Sequence, residues 1–447
     1  MPRSIDIGQL TETGLTRWHA RVTFLCFIVL LADGIDGQTL GYMVPALAKT
    51  YDVPTSAFGP LFSANLLGFG AGCALFGWFA DIWGRRPMIN LCVITFGILT
   101  IAKAFAPTLE WMIFLQFVCG LALGGAFPHA FALIIEYTPK KWRATLLAFA
   151  GLGLSGGGVL GGIVAGTLMP IYGWPIMFLL GGIITLILAI PLWIYLPESL
   201  RFLIVKGRPK SEQLAVLRQI LPNTPDSELP EVVVTERDEG VPVIQLFREK
   251  RAAVTTLLWL ATAFDLMTNY FFTFWMTALG KDLGMTPSQA IGLTLSYQIA
   301  AMIGPFLVGP IIDRASNANT ILAWVWGLAA VCCVGMAYVG ASFGLVASLV
   351  FAAGVLVIGG HVGIAVVAGN YYPTFMRSTG IGWMVGFGRM AALLGPLMVG
   401  LFLAWKWDPG TVFLAVAVVP FGATICFILI GLHMRQSKRV PALVPGE

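Results

Sequence analysis

Apolar runs of roughly 20 residues alternate with short polar or Gly/Pro-containing breaks along nearly all of the 447-residue chain. A helix needs about 20 residues to cross the hydrocarbon core of a bilayer. The breaks define twelve candidate spans: 22–49, 58–81, 88–106, 111–138, 144–169, 175–196, 252–280, 288–312, 319–339, 343–370, 379–405 and 410–434. The pattern predicts an all-α integral membrane protein with twelve transmembrane helices. A cytoplasmic N-terminus covers 1–21, one six-helix half 22–196, a polar cytoplasmic linker 197–251, a second half 252–434 and a cytoplasmic tail 435–447. Short surface helices are expected around Ser211–Leu221 in the linker.

Composition and charge fit that reading. Hydrophobic residues make up 57% of the chain and charged residues 11%, against about 25% charged in soluble domains. Mean hydropathy is +0.84. The polar first 20 residues have no cleavable signal pattern, so the first span is expected to stay as an anchor. Twelve spans put both ends on one side of the membrane. With that side cytoplasmic, 22 of the 27 Lys and Arg residues lie inside, as the positive-inside rule requires. Lys49, Lys103, Lys281 and Lys406 then lie outside, and Arg389 alone falls within a span. The net charge of +5 gives no sign of a nucleic-acid partner. All seven cysteines sit in apolar spans without CxxC spacing, so neither a disulfide frame nor a metal site is expected.

The two halves repeat. Gly77-x-x-x-Asp81 recurs as Gly309-x-x-x-Asp313, and Pro139-x-x-x-Arg143-Ala-Thr145 as Pro373-x-x-x-Arg377-Ser-Thr379, at offsets of 232 and 234 residues. Equivalent loops on one side of the membrane mean parallel repeats. The offset of 232 places Asp33 over Asp265 and Asp36 over Thr268.

Charge inside a span is costly, about 2.5–3.5 kcal/mol on insertion scales, and marks functional positions. Asp33 and Asp36 share one face of the first span. Two partly desolvated carboxylates do not both ionise easily, so the pair is expected to couple protons; a structural hydrogen bond to a neighbouring helix is the alternative. Asp265 stands open between coupling and structure. Arg389 is expected to receive a substrate carboxylate or to pair with Asp33 or Asp36; an ion pair nearer the cytoplasmic gate is its alternative reading. His129 and His361 can titrate near neutrality but read more readily as hydrogen-bonded packing residues. Gln38, Asn65, Gln116, Asn269 and Gln298 are candidates to line a polar path, with Tyr270, Tyr297 and Trp383 expected to stack on an aromatic ring.

Gly77-Trp-Phe-Ala-Asp81-Ile-Trp-Gly84-Arg85-Arg86-Pro87 resembles the loop signature between helices two and three of the major facilitator superfamily. Four stretches narrow the resemblance: Asp33-Gly-Ile-Asp36; Gly124-Gly-Ala-Phe-Pro128 through Glu136-Tyr-Thr-Pro139; Leu196-Pro-Glu-Ser-Leu-Arg-Phe-Leu203; and Tyr372-Pro-Thr-Phe-Met-Arg377 through Gly386-Phe-Gly388-Arg389. Together they are similar to the aromatic acid:proton symporters, the 4-hydroxybenzoate and benzoate transporters. The resemblance implies a proton symporter of the bacterial inner membrane that imports small aromatic carboxylates for catabolism. Substrate is then expected to bind between the halves, which rock to alternate access. The resemblance also implies essential roles for Asp33 and Asp36, and functional roles for Gly77, Asp81, Gly84, Glu136, Arg377 and Arg389. Asp81, Arg85, Glu136, Arg143, Asp313 and Arg377 are expected to join in a cytoplasmic gate of ion pairs; a solvated loop face is the plainer alternative. The family's glycines at 77 and 84 suggest a tight turn and close helix approach.

Two positions depart from the pattern. Gln116 stands where the superfamily often has an arginine in helix four. Helix five carries Gly153-x-x-x-Gly157-Gly158-x-x-Gly161, similar to an antiporter motif but with Gly158 at its usual proline. A proton-coupled efflux antiporter and an importer of non-aromatic organic acids therefore stay open. A sensor has no signalling domain in its favour, and an enzyme has neither a Ser-His-Asp set nor a metal-ligand cluster. No cofactor and no ATP site is expected, and the working assembly is a monomer in a lipid bilayer.

Overall fold

The computed structural model describes residues 4–6, 16–139, 142–221, 224, 231–233, 243–248, 251–315, 317–373 and 376–439. Seventeen helices run through them. In the first part of the chain these are α1 (Arg17–Gly37), α2 (Leu40–Tyr51), α3 (Gly59–Trp83), α4 (Arg85–Lys103), α5 (Leu109–Tyr137), α6 (Arg143–Thr167), the single turn α7 (Met169–Tyr172), α8 (Pro175–Tyr195), α9 (Leu200–Val205) and α10 (Lys210–Ile220). The second part holds α11 (Ala252–Asp282), α12 (Pro287–Arg314), α13 (Ala318–Val339), α14 (Phe343–Tyr371), α15 (Arg377–Ala392), α16 (Leu394–Ala404) and α17 (Pro409–Arg439). The one exception to an all-α architecture is a parallel pair of three-residue strands, β1 (Ser4–Asp6) and β2 (Glu231–Val233).

Local chemistry sets several helix ends. Pro287 opens α12 behind a capping box, in which the Thr286 hydroxyl accepts from the Gln289 N–H and the Gln289 side chain accepts from the Thr286 N–H. Thr108 caps α5 by accepting from the Trp111 N–H. Gly84, between α3 and α4, has φ +106°, a conformation other residues enter only with strain.

Two expected spans are each broken in two. The first divides at Gln38 and Thr39. There the Thr39 hydroxyl donates back to the Ile35 carbonyl at 2.6 Å, and Pro45 withholds an N–H from the turn that begins α2. The eleventh divides at Leu393. Gly77 and Gly309 also depart from expectation. Each lies inside a continuous helix, and an added Cβ at either would touch nothing. The motif's glycine requirement rests on Gly84 instead.

Ten helical stretches are long and apolar enough to cross a membrane. The twelve-span pattern is completed by α1 with α2, and by α11. Large side chains such as Trp78, Trp324 and Tyr338 are exposed on the outside of these helices, as expected for a lipid-facing surface.

Contacts divide the chain into two compact units, residues 1–40 with 64–239 and residues 41–63 with 240–447. Within the first unit α1 packs on α6, α8 and α5, and α4 lies between α5 and α8. The linker helices α9 and α10 dock on this unit, burying Leu200, Leu203, Val216, Leu217 and Ile220 against Trp18 and Leu196. The surface helix expected near 211–221 is thus half core. Within the second unit α11 is central, touching α12, α14, α15, α16 and α17.

The glycines of helix five have a packing task. A Cβ on Gly157 would lie 2.5 Å from Gly34, and one on Gly153 would lie 2.6 Å from the Phe27 carbonyl. In return, a Cβ on Gly34 would stand 2.1 Å from the Leu154 carbonyl oxygen. The two helices meet backbone to backbone, as small-residue stripes permit in membranes. Gly34→Ala is therefore expected to destabilise the protein by about 1–3 kcal/mol through overpacking, read as a lower melting temperature in detergent. Gly151→Ala on the same helix meets nothing within 4 Å and is expected to leave the melting temperature unchanged; equal melting of the two variants would refute this account of the contact.

Candidate functional site

The first unit buries an ion cluster at the end of α1. Asp36 is 2% exposed and Lys103, the last residue of α4, is 0% exposed. The Lys103 ammonium donates to Asp36 Oδ1 at 2.5 Å and to Gln116 Oε1 at 2.8 Å, and lies 4.9 Å from the centre of the Phe178 ring. Thr100 Oγ1 donates more weakly to the same carboxylate oxygen at 3.4 Å. Asp36 Oδ2 and Gln116 Nε2 have no protein partner. Asp33 is buried one turn earlier on α1, and Gln38 is buried just beyond the helix end.

Lys103 was counted with the charges outside; the structure buries it at the end of α4, inside the 88–106 span, and the apolar residues before it with Ala-Phe-Ala after it were the available signal. The lysine also changes how the carboxylates are read: Asp36 is balanced by a cation rather than set only against Asp33. Gln116, at the position where an arginine was expected, joins the cluster through its carbonyl oxygen.

The second unit has its own buried acid, at the position equivalent to Asp33. Asp265, midway along α11, is 0% exposed. His361 of α14 approaches it with Nδ1 2.5 Å from Oδ2. With Asp265 ionised, the carboxylate only accepts and Nδ1 carries the hydrogen. One turn along α11, Asn269 Oδ1 accepts from the Tyr297 hydroxyl at 2.9 Å. Arg389 of α15 is half-buried and acts electrostatically on His361. His361 thus belongs to the charged cluster rather than to simple packing.

The aromatic candidates separate. Tyr297 is fully buried with its ring stacked on Phe272 at 5.0 Å and its hydroxyl engaged, which does not fit a ring that stacks on substrate. Tyr270 is half-buried and stacks on Phe274. Trp383 stays 52% exposed, with Trp259 stacked against it at 6.3 Å.

At the end of the first unit that carries α9, a second network joins α4, α5 and the turn before α9. Arg85 pairs with Glu136 and donates to Ser199 Oγ at 3.0 Å, while Ser199 Oγ donates to Glu136 at 2.7 Å. The N–H groups of Arg85 and Arg86 donate to Glu198 Oε1 at 2.9 and 3.2 Å. Burial pushes the Glu198 carboxyl above its usual range, against the pull of the Ser199, Arg86 and Arg85 N–H groups and of the Arg85 charge. A Cβ at Gly84 would lie 2.2 Å from Glu198 Oε2, so glycine keeps this cradle open. Asp81 and Asp313 are exposed, and Arg377 is exposed with its Nε donating to the Tyr372 carbonyl at 3.3 Å. The expected ring of ion pairs is thus one compact network around Glu136 and Glu198, with Asp81, Asp313 and Arg377 on the surface. The side chain of Arg143 lies outside the described residues.

Comparison with known proteins agrees with this layout. The sequence profile of the Major Facilitator Superfamily matches residues 26–251 and 258–445. The 4-hydroxybenzoate transporter PcaK of Pseudomonas aeruginosa is 32% identical over 424 residues, covering 94% of each chain. A gallate transporter of Pseudomonas putida is 32% identical over 422 residues, covering 94% of this chain and 93% of its own. Among solved structures, a bacterial homologue of the human lysosomal transporter Spinster superposes with a TM-score of 0.67 at 17% identity, covering 95% of this chain and 98% of its own.

The geometry around Lys103 yields a double-substitution test. Lys103→Met leaves a buried carboxylate unpaired, a loss expected to cost about 3–5 kcal/mol. Asp36→Asn added to Lys103→Met removes the stranded charge and is expected to recover most of that loss. Thermal unfolding of the purified variants measures both; additive effects of the two substitutions would contradict a coupled pair.

Proposed function

We propose, from the premise that the chain belongs to the Major Facilitator Superfamily, that it imports a small aromatic carboxylate by proton symport. The observation that carries this reading is similarity along more than nine-tenths of the chain to transporters named for 4-hydroxybenzoate and gallate. Buried acids in the first helix of each repeat, one against lysine and one against histidine, support proton coupling. Arg389 supports an anionic substrate, because a guanidinium stays charged when desolvated and grips a carboxylate with two parallel bonds. Asp33, Asp36 and Asp265 are the proposed coupling acids. Gln38, Asn269, Tyr270 and Trp383 are the proposed polar and aromatic lining. Because Lys103 already holds Asp36, coupling through that acid has to displace the lysine.

The Arg85–Glu136–Ser199 network is the proposed cytoplasmic latch, with Asp81, Arg143, Asp313 and Arg377 at the same face. In this reading the protein sits in a bacterial inner membrane with both termini in the cytoplasm. Efflux by antiport is the weaker reading. The glycines that resemble an antiporter motif are accounted for by the contact between α1 and α6.

Proteoliposomes test the proposal. Labelled 4-hydroxybenzoate is expected to accumulate when the outside is acidified, and a protonophore should abolish accumulation. Asp33→Asn and Asp36→Asn are each expected to lose uphill uptake. Arg389→Lys should raise the apparent Michaelis constant about tenfold through loss of the bidentate grip. Accumulation driven by an acidic lumen would assign exchange instead, and uptake insensitive to the protonophore would remove proton coupling.

A further inference from the structure

His361 combines depth with accessibility. It lies more than two helical turns from either end of α14. Its partner Asp265 is sealed, with Oδ1 lacking any protein partner. Yet the His361 side chain is 45% exposed, and Nε2 has no hydrogen-bond partner among the described residues. An imidazole beside Asp265 and within the field of Arg389 is costly against lipid. Its exposed edge therefore belongs on a water-accessible side.

Four elements packed on α14 present titratable groups to this locus. They are Asp265 from α11, Tyr297 from α12, Cys333 from α13 beside Tyr297, and Arg389 from α15. Tyr297 is tied to Asn269. The imidazole thus has an acid on its Nδ1 side and feels the charge of Arg389.

The repeat supplies an independent observation. Asp265 and His361 are 96 residues apart, and Asp33 and His129 have the same separation in the first half. There His129 Nε2 meets the Phe76 carbonyl at 3.3 Å. Arg389 has no cationic counterpart, since the equivalent position near 154 is leucine. In the second half the acid–histidine contact and the half-buried arginine occur together.

We propose that His361, oriented by Asp265, is the group at which the transported carboxylate and its proton meet, with Arg389 as the second cation of the same receptor. This rests on the aromatic-acid reading above. In the empty site Asp265, neutral His361 and Arg389 sum to zero charge. A proton binds at Nε2, and the resulting N–H donates to the substrate carboxylate. Proton and carboxylate enter together, so the charge of the locus is unchanged. Each ligand strengthens the binding of the other by the same factor, as linkage requires. This locus alone carries one proton per carboxylate without net charge.

Equilibrium binding of labelled 4-hydroxybenzoate to the purified full-length protein tests the proposal, across the pH range where imidazole titrates and the carboxylate stays ionised. Wild-type affinity is expected to fall about tenfold per pH unit on the alkaline side, the slope for one linked proton. His361→Asn keeps a donor to Asp265 but cannot take up a proton. It is expected to bind more weakly, with no pH slope. Asp265→Asn keeps the hydrogen bond without the charge and is expected to flatten the same slope. A melting curve confirms that each variant is folded. A folded His361→Asn protein with the wild-type slope overturns the proposal, as does wild-type binding with no slope. Wild-type protein that binds no aromatic carboxylate at any pH overturns the transport reading itself, and this inference with it.

Discussion

A carboxylate with no access to water must have a cation, a proton or a dense set of donors. The Lys103–Asp36 bond is one place where this chain meets that demand, with both groups sealed and the lysine also held by Gln116 and Phe178. Much of the first unit follows from keeping that bond aligned. The backbone contact of Gly34 with α6 fixes the rear of α1 two residues before Asp36. The break at Gln38 and Thr39 ends the helix just after the acid. The Thr39 hydroxyl then satisfies a carbonyl that the break would leave without a donor.

The two repeats solve the same electrostatic problem with different bases. The first helix of each half carries a buried acid. In the first half the acid at the end of α1 faces a lysine. In the second half the acid of α11 faces a histidine with an accessible edge. A lysine is a lasting counter-charge, whereas an imidazole changes charge within the physiological range. The Asp–His spacing recurs in both halves, and in the second it closes a contact at 2.5 Å.

The helices and their repeat were legible because hydropathy and short motifs are local signals. Most of the twelve predicted spans match the helices to within a few residues. The break in the first span was less visible, since a threonine folding back on its own carbonyl leaves the hydropathy pattern intact. Lys103 was misread because charge near the end of an apolar run usually marks solvent; burial came from Asp36 and Gln116, distant in sequence. Tyr297 and Trp383 looked alike as aromatic candidates, and tertiary packing separates them. The Gly77 motif correctly marked the turn into α4, but only Gly84 has the positive φ and crowded approach that exclude a side chain.

The absence of an arginine at position 116 now has a physical counterpart. The cation sits on α4 instead of α5, and the side chain at 116 has become a hydrogen-bond acceptor for it. A proton that neutralised Asp36 would leave the Lys103 ammonium unpaired in a sealed site, an outcome costing several kcal/mol. A proton reaching His361 has the opposite effect, because it adds charge–charge attraction to a hydrogen bond that already exists. Moving the cation onto α4 therefore makes the first unit's pair a rigid element. In the proposed symport, protonation is less costly at the pair in the second unit, where an imidazole stands beside a sealed carboxylate.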